Sequence, residues 1–146
     1  MIYNQLNHVA FILDGNKRWA KRNNLNNTEG YKKGFDNIKN IIDFSIKKKI
    51  SNLTLFTLSS ENIMRPSVKI LYEIIINNFE NFLDELLNTK KIKINILGSK
   101  KNLPLKIIEI FEKAESSSNN NSVLNLNLAF NYGFKYEITE VLKNYK

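Results

Sequence analysis

The residues best suited to chemistry stand in one stretch, HVAFILDGNKRWAKR, from His8 to Arg22. Asp14 ends the apolar run Val9 to Leu13. Gly15 and Asn16 follow it, and both tolerate turn conformations that other residues resist. Cationic side chains come next at Lys17, Arg18, Lys21 and Arg22. An acid at a strand's C-terminal end, bare N–H groups at a helix start and an arginine fork together suit a diphosphate and its metal ion. The apolar run reads as a strand buried on both faces, as in a parallel sheet. Ligands of open α/β sheets bind at the C-terminal edge of such strands. The same spacing also fits a hairpin-like turn with a solvated basic face, because neither a Walker-type phosphate loop nor GxGxxG is present.

The rest of the chain must position these groups. Asn23 to Glu29 is polar and reads as a loop. Gly30 to Lys49 carries Phe35, Ile38, Ile41, Ile42 and Ile46 at helical spacing. Asn52 to Leu58 is apolar on both faces and reads as a second central strand, completing a βαβ unit. Ser59 to Arg65 is a loop at that strand's C-terminal edge, and Pro66 suits the first turn of a helix. This helix extends to about Leu87, with an apolar stripe broader than one packing face needs. Ile92 to Leu97 alternates like a half-buried strand. Leu103 to Ser116 reads as a helix, and Ser116 to Ser122 (SSSNNNS) as a low-complexity mobile loop. From Leu124 to Phe130 the apolar residues point one way and Asn125 and Asn127 the other, giving a fourth strand. Asn131-Tyr132-Gly133 turns the chain, and a helix starts at Phe134. The alternation predicts one α/β domain over residues 1–146, with a mainly parallel sheet and flanking helices. His8, the only histidine, falls at the strand end away from the ligand edge and reads as structural.

Composition narrows the function classes. At 42% hydrophobic and 25% charged the chain is ordinary for a globular protein. Cysteine is absent, which excludes disulfides and thiolate metal sites. No apolar run approaches the roughly 20 residues that span a bilayer, and no signal peptide opens the sequence. The expected location is the cytoplasm, with contact at the membrane surface as an option. The net charge of +8 comes from 19 Lys and only three Arg. With 24 Asn and 19 Ile beside them, the Lys read as the mark of an AT-rich genome and as solvated faces. Nucleic acid is not an expected partner, since a basic aromatic-studded strand set and a recognition helix are both missing.

Three segments together resemble the cis-prenyltransferases, the undecaprenyl and dehydrodolichyl diphosphate synthases. They are HVAFILDGNKRWAKR, TLFTLSSENIMRP (Thr54 to Pro66) and LNLNLAFNYGFKYEI (Leu124 to Ile138). The resemblance implies an enzyme that extends an allylic diphosphate of farnesyl type with isopentenyl diphosphate. Its product would be a long cis-polyprenyl diphosphate, a dolichol- or undecaprenol-type precursor. It implies Asp14 as the residue holding Mg2+ on the allylic diphosphate and Arg18 as its clamp. Gly15, Asn16 and Lys17 would offer backbone amides, and Trp19 would flank the site or pack under the helix. In the second segment Ser59, Ser60, Glu61, Asn62 and Arg65 match. Asn62 would act near the reacting centre and Arg65 would reach phosphate, while Glu61 also suits a helix N-terminus. The wide stripe would be one wall of an apolar tunnel, with Phe35, Ile38 and Ile42 facing Ile75, Phe79 and Phe82.

The sequence departs from the family pattern in three ways. Asn27 and Tyr31 stand where the family has Arg and His, and Ile63 stands where Trp or Phe is frequent. The family also continues past Lys146 with cationic residues for isopentenyl diphosphate, a metal-completing Glu and a dimer interface. The expectation is therefore an incomplete domain, inactive or weakly active alone, that works as a homodimer or with a partner subunit. The alternative is a non-catalytic subunit of the same fold that carries a prenyl lipid or supports a partner.

Overall fold

A computed structural model describes residues 6–66, 68–89, 91–120 and 123–145. Side chains at 78–81, 83, 86 and 87 lie outside the described set. Four strands, β1 (His8–Ile12), β2 (Asn52–Ser59), β3 (Ile92–Leu97) and β4 (Leu124–Tyr132), form one sheet in the order β1-β2-β4-β3. Every pairing is parallel, as the alternation predicts. The helices are α1 (Asn16–Arg22), α2 (Asn27–Lys47), α3 (Val68–Asn88), α4 (Leu105–Ser118) and α5 (Phe134–Asn144).

The core lies on one face of the sheet. Leu53 and Leu55 of β2, Ile92 and Ile94 of β3, and Leu124, Leu126 and Leu128 of β4 are buried there. They pack in one cluster with Ile38 and Ile42 of α2, Ile75 and Phe82 of α3, and Ile107, Ile110, Phe111 and Ala114 of α4. The opposite face is a polar ladder. His8 Nε2 meets Thr54 Oγ1 (2.8 Å), Asn127 Nδ2 donates to Thr54 Oγ1 (3.2 Å), and Asn95 Nδ2 donates to Asn127 Oδ1 (2.9 Å). Asn125 likewise donates to Asn52 (3.1 Å). His8 sits at the strand end away from the ligand edge, as expected. β2 is central, but its second face carries half-buried Asn52 and Thr54 rather than apolar core.

Several expectations need correcting. β1 is an edge strand, not one buried on both faces. Among the described residues it pairs only with β2, and Phe11 and Ile12 are 40% and 78% exposed. An apolar run signals a preference for burial, and the strand order has left this one with a single neighbour. The loop Asn23 to Glu29 is shorter than expected, because α2 starts at Asn27 on a capping box. Asn26 accepts from Glu29 N–H (3.0 Å) and Glu29 accepts from Asn26 N–H (2.9 Å). α3 starts at Val68, just after Pro66. Ser116 to Ser118 of the SSSNNNS run belong to α4 rather than to a loop, and Ser118 is fully buried; Asn121 and Ser122 lie outside the described residues. Ser118 Oγ accepts from Ile94 N–H (2.9 Å), and Glu115 Oε1 accepts from Ile96 N–H (2.8 Å). Two side chains of α4 thus close the outer edge of β3.

Candidate functional site

β1 hands the chain to a tight turn. Leu13 N–H still bonds Phe56 O (3.0 Å), and Asp14 N–H folds back on Ile12 O (3.0 Å). Gly15 takes φ +93°, a region that strains residues with a side chain. The turn sets the Asp14 carboxylate at the start of α1. Its Oδ1 accepts from Gly15 N–H (2.6 Å) and its Oδ2 from Arg18 Nη2 (2.7 Å). Arg18 follows Asp14 by four residues, about one helical turn. The two side chains are 72% and 76% exposed, so the pair is weak and Arg18 is free to exchange its carboxylate for a phosphate.

α1 is seated on α2. Ala20 is fully buried. A Cβ at Gly30 would fall 2.5 Å from Asn16 O and 2.8 Å from Ala20 Cβ. One at Gly34 would fall 2.4 Å from Asn16 Oδ1. These two glycines, one turn apart, let the helices touch and hold Asn16 beside Asp14. Their four-residue spacing places both on one face of α2.

At the end of β2 the register breaks. Phe56 faces Ala129, then Leu58 faces Phe130 and Ser59 faces Tyr132. Thr57 of β2 is skipped at the first shift and Asn131 of β4 at the second, and Thr57 Oγ1 donates to Ala129 O (2.9 Å). Such irregularities re-aim side chains beside functional sites. Stepped turns follow. Asn62 N–H bonds Ser59 O (3.0 Å), Arg65 N–H bonds Asn62 O (3.1 Å), and Val68 N–H bonds Arg65 O (2.9 Å).

These pieces meet in a polar cavity of about 290 Å³. Asp14, Gly15, Asn16, Lys17 and Arg18 line it from one side, and Asn62 and Arg65 from the other. Trp19, Ser59, Ser60 and Glu61 are not among its lining residues. Trp19 is partly exposed on α1. Ser59 Oγ accepts from Asn62 N–H (3.3 Å) and so braces the turn. Ser60 packs against Gly133, where a Cβ would fall 2.2 Å from its Oγ. Glu61 is exposed.

A second cavity of about 280 Å³ adjoins the first and shares Leu13, Asp14, Asn16, Tyr31, Thr57 and Leu71 with it. Its remaining walls are mostly apolar and come from α2, α3 and the core face of the sheet. Of the expected tunnel residues, Phe35, Ile38, Ile75 and Phe82 line it. Ile42 is fully buried in the core beyond it, and the Phe79 side chain lies outside the described residues. Thr57 and Tyr31, the latter at a position that departs from the family pattern, both stand where the two cavities join. The strand break after Phe56 left no local signature.

Comparison with known proteins gives a consistent pattern. The family described as "Putative undecaprenyl diphosphate synthase" matches residues 12–146. An isoprenyl transferase of Lactobacillus johnsonii is 42% identical over 136 residues, which is 92% of this chain and 56% of that protein. A (2E,6E)-farnesyl-diphosphate-specific ditrans,polycis-undecaprenyl-diphosphate synthase of Legionella pneumophila is 38% identical, covering 93% of this chain and 58% of its own. The structure of lavandulyl diphosphate synthase from Lavandula x intermedia, in complex with dimethylallyl diphosphate, superposes with a TM-score of 0.84 at 29% identity. That match covers 95% of this chain and 60% of the other. The chain spans a little over half the length of these relatives.

Proposed function

The chain belongs to the undecaprenyl diphosphate synthase family of prenyltransferases, and from that premise we propose that it binds an allylic diphosphate of farnesyl type for prenyl chain elongation. One observation carries the reading: a polar cavity bearing two arginines and one carboxylate joins an apolar cavity. That pairing suits an amphiphile with an anionic head and a hydrocarbon tail.

Arg18 and Arg65 clamp the diphosphate in this reading, since a guanidinium fork matches phosphate oxygens. Lys17 and the Asn16 amide add to the same pole, while the Gly15 amide holds the Asp14 carboxylate (2.6 Å), and Asn62 faces the reacting carbon. Among the described residues no group of three or more His, Asp or Glu could cage a metal. The donor set still fits Mg2+, which commonly takes one or two carboxylates and completes its shell with substrate phosphates and water. Asp14 is the carboxylate lining the polar cavity. A metal ion there would neutralise charge growing on the leaving diphosphate. Asp14 would release Arg18 to the phosphates as it took the metal.

Condensation needs isopentenyl diphosphate held in line with the allylic carbon. Arg18 and Arg65 are both committed to one polar cavity. We therefore assign the allylic half of the reaction to these residues, with the chain alone condensing poorly and a partner subunit or second copy completing the site. Titrating the chain with farnesyl diphosphate, with and without Mg2+, tests the binding. Tight, Mg2+-dependent binding supports the reading, and no binding removes it. Adding labelled isopentenyl diphosphate separates the catalytic reading from the carrier alternative, which predicts binding with no product in any assembly.

A further inference from the structure

The polar and apolar cavities meet at a neck. Among the described residues that line both, Tyr31 carries the one aromatic ring. Leu13 and Leu71 are aliphatic, the Asp14 carboxylate is held by Gly15 and Arg18, and the Thr57 hydroxyl donates to Ala129 O (2.9 Å). The rings of Phe35, Phe82 and Phe130 line the apolar cavity but not the polar one. Tyr31 is half-buried in the second turn of α2, next to Gly30. A Cβ at Gly30 would fall 2.5 Å from Asn16 O, so the close seating of α1 on α2 fixes the backbone that carries the ring.

An amphiphile with its diphosphate in the polar cavity and its tail in the apolar one must place its first carbons at this neck. In an allylic diphosphate those carbons are the reacting ones. As the C1–O bond breaks, its electron pair leaves on the diphosphate oxygen. The positive charge left behind is shared between C1 and C3 through the double bond. Arg18 and Arg65 suit the departing anion but repel that cation. An aromatic face attracts a cation, most strongly where water is excluded. We propose that the Tyr31 ring stabilises the positive charge developing on the allylic carbons, as the counterpart of the cationic clamp on the leaving diphosphate. This rests on reading the two cavities as an allylic diphosphate site. The contact gains strength only as charge develops, so it favours the transition state over the bound substrate. At this position the family has His, whose imidazole gains positive charge near neutral pH and then repels such a carbon.

The test is calorimetric titration of the chain, with Mg2+, using two ligands. One is farnesyl diphosphate; the other is its saturated analogue in which a protonated nitrogen replaces C3. Head group and tail are shared, so the ratio of the two affinities isolates the response to positive charge at the neck. Tyr31→Leu should lower the analogue-to-farnesyl ratio about five- to thirtyfold, and Tyr31→Phe, which keeps a ring, should hold it within about twofold. Should Tyr31→Leu fail to fold, a Tyr31→Phe variant with a fully fluorinated ring decides, since fluorine withdraws electron density from the face at nearly constant shape; it should lower the ratio as Tyr31→Leu does. An equal ratio in every variant overturns the role of the ring. A ratio that falls as far in Tyr31→Phe as in Tyr31→Leu also overturns it and assigns the effect to the hydroxyl. Failure of both ligands to bind the unaltered chain overturns the proposal together with the allylic diphosphate reading.

Discussion

At the β3 end of the sheet, Ser118 and Glu115 reach down from α4 and take up the outward N–H groups of Ile94 and Ile96. Nearby, Asn131 Nδ2 donates to Ser99 O (2.8 Å) and Lys101 O (3.0 Å), tying the end of β4 to the loop after β3. At the β1 end, by contrast, Phe11 and Ile12 are substantially exposed, and the Asp14–Arg18 pair lies in solvent. Both cavities border this end. Closed packing at one edge gives a rigid frame, while the other edge keeps a charged cluster and an apolar hollow accessible. Regions that bind ligands are commonly drawn from the less stable parts of a fold. An open apolar edge also invites pairing with another chain.

Substitutions at the two ends should separate these roles. The largest loss of stability is expected at the closed end. Ile107→Ala removes a fully buried side chain of α4 and should lower stability by about 2–5 kcal/mol, read as a shift in the denaturant midpoint. A change under 1 kcal/mol would mean that this end is no better packed than the other.

Asp14→Ala should do the reverse. In an assembly that transfers prenyl groups, the rate should fall about 10²–10³-fold, the scale of losing one preorganised charge group. The denaturant midpoint should hardly move, because the side chain is exposed. Near-normal transfer would remove Asp14 from the site.

Ser118→Ala should be intermediate. It leaves the Ile94 N–H unpaired at a buried edge, at a cost of about 1–3 kcal/mol. Amide hydrogen exchange at Ile94 should quicken well before that at Leu126 on central β4. Equal exchange at both positions would argue against an edge closed by α4.

The smallest effect on stability belongs to Ile12→Lys, within about 0.5 kcal/mol as for other exposed positions. Its readout is association: a charge on an edge strand opposes edge-to-edge pairing. Sedimentation should show less self-association than the unaltered chain, and an unchanged distribution would place any contact elsewhere.

Much of the fold was legible in the residues. The βα alternation indicated a parallel α/β sheet, and the periodicity of α2 and α4 marked the faces they bury. The turn at Asp14-Gly15-Asn16 was readable because glycine and asparagine favour unusual backbone angles. The α2 cap is equally readable, as Asn26 and Glu29 stand at capping-box spacing within a stretch whose polar composition suits a loop. Ser118 is not legible as a helix residue, because a serine-rich run resembles a linker. Its hydroxyl instead serves an N–H from a strand 24 residues earlier in the chain.

The sequence alone determined the groups that stand within a turn of one another, such as Asp14 with Arg18, because local backbone geometry holds such neighbours together. It also marked the faces that α2 and α4 bury, because hydrophobic periodicity is a local property. Tertiary structure alone decided that β1 lies at an edge and that Thr57 interrupts the pairing of β2 with β4. It also brought Asn62 and Arg65 opposite Asp14 and Arg18 around one cavity. Those outcomes depend on strand order and on contacts between residues far apart in sequence. Local preference does not encode them, since an apolar strand has the same pattern whether it gains one neighbour or two.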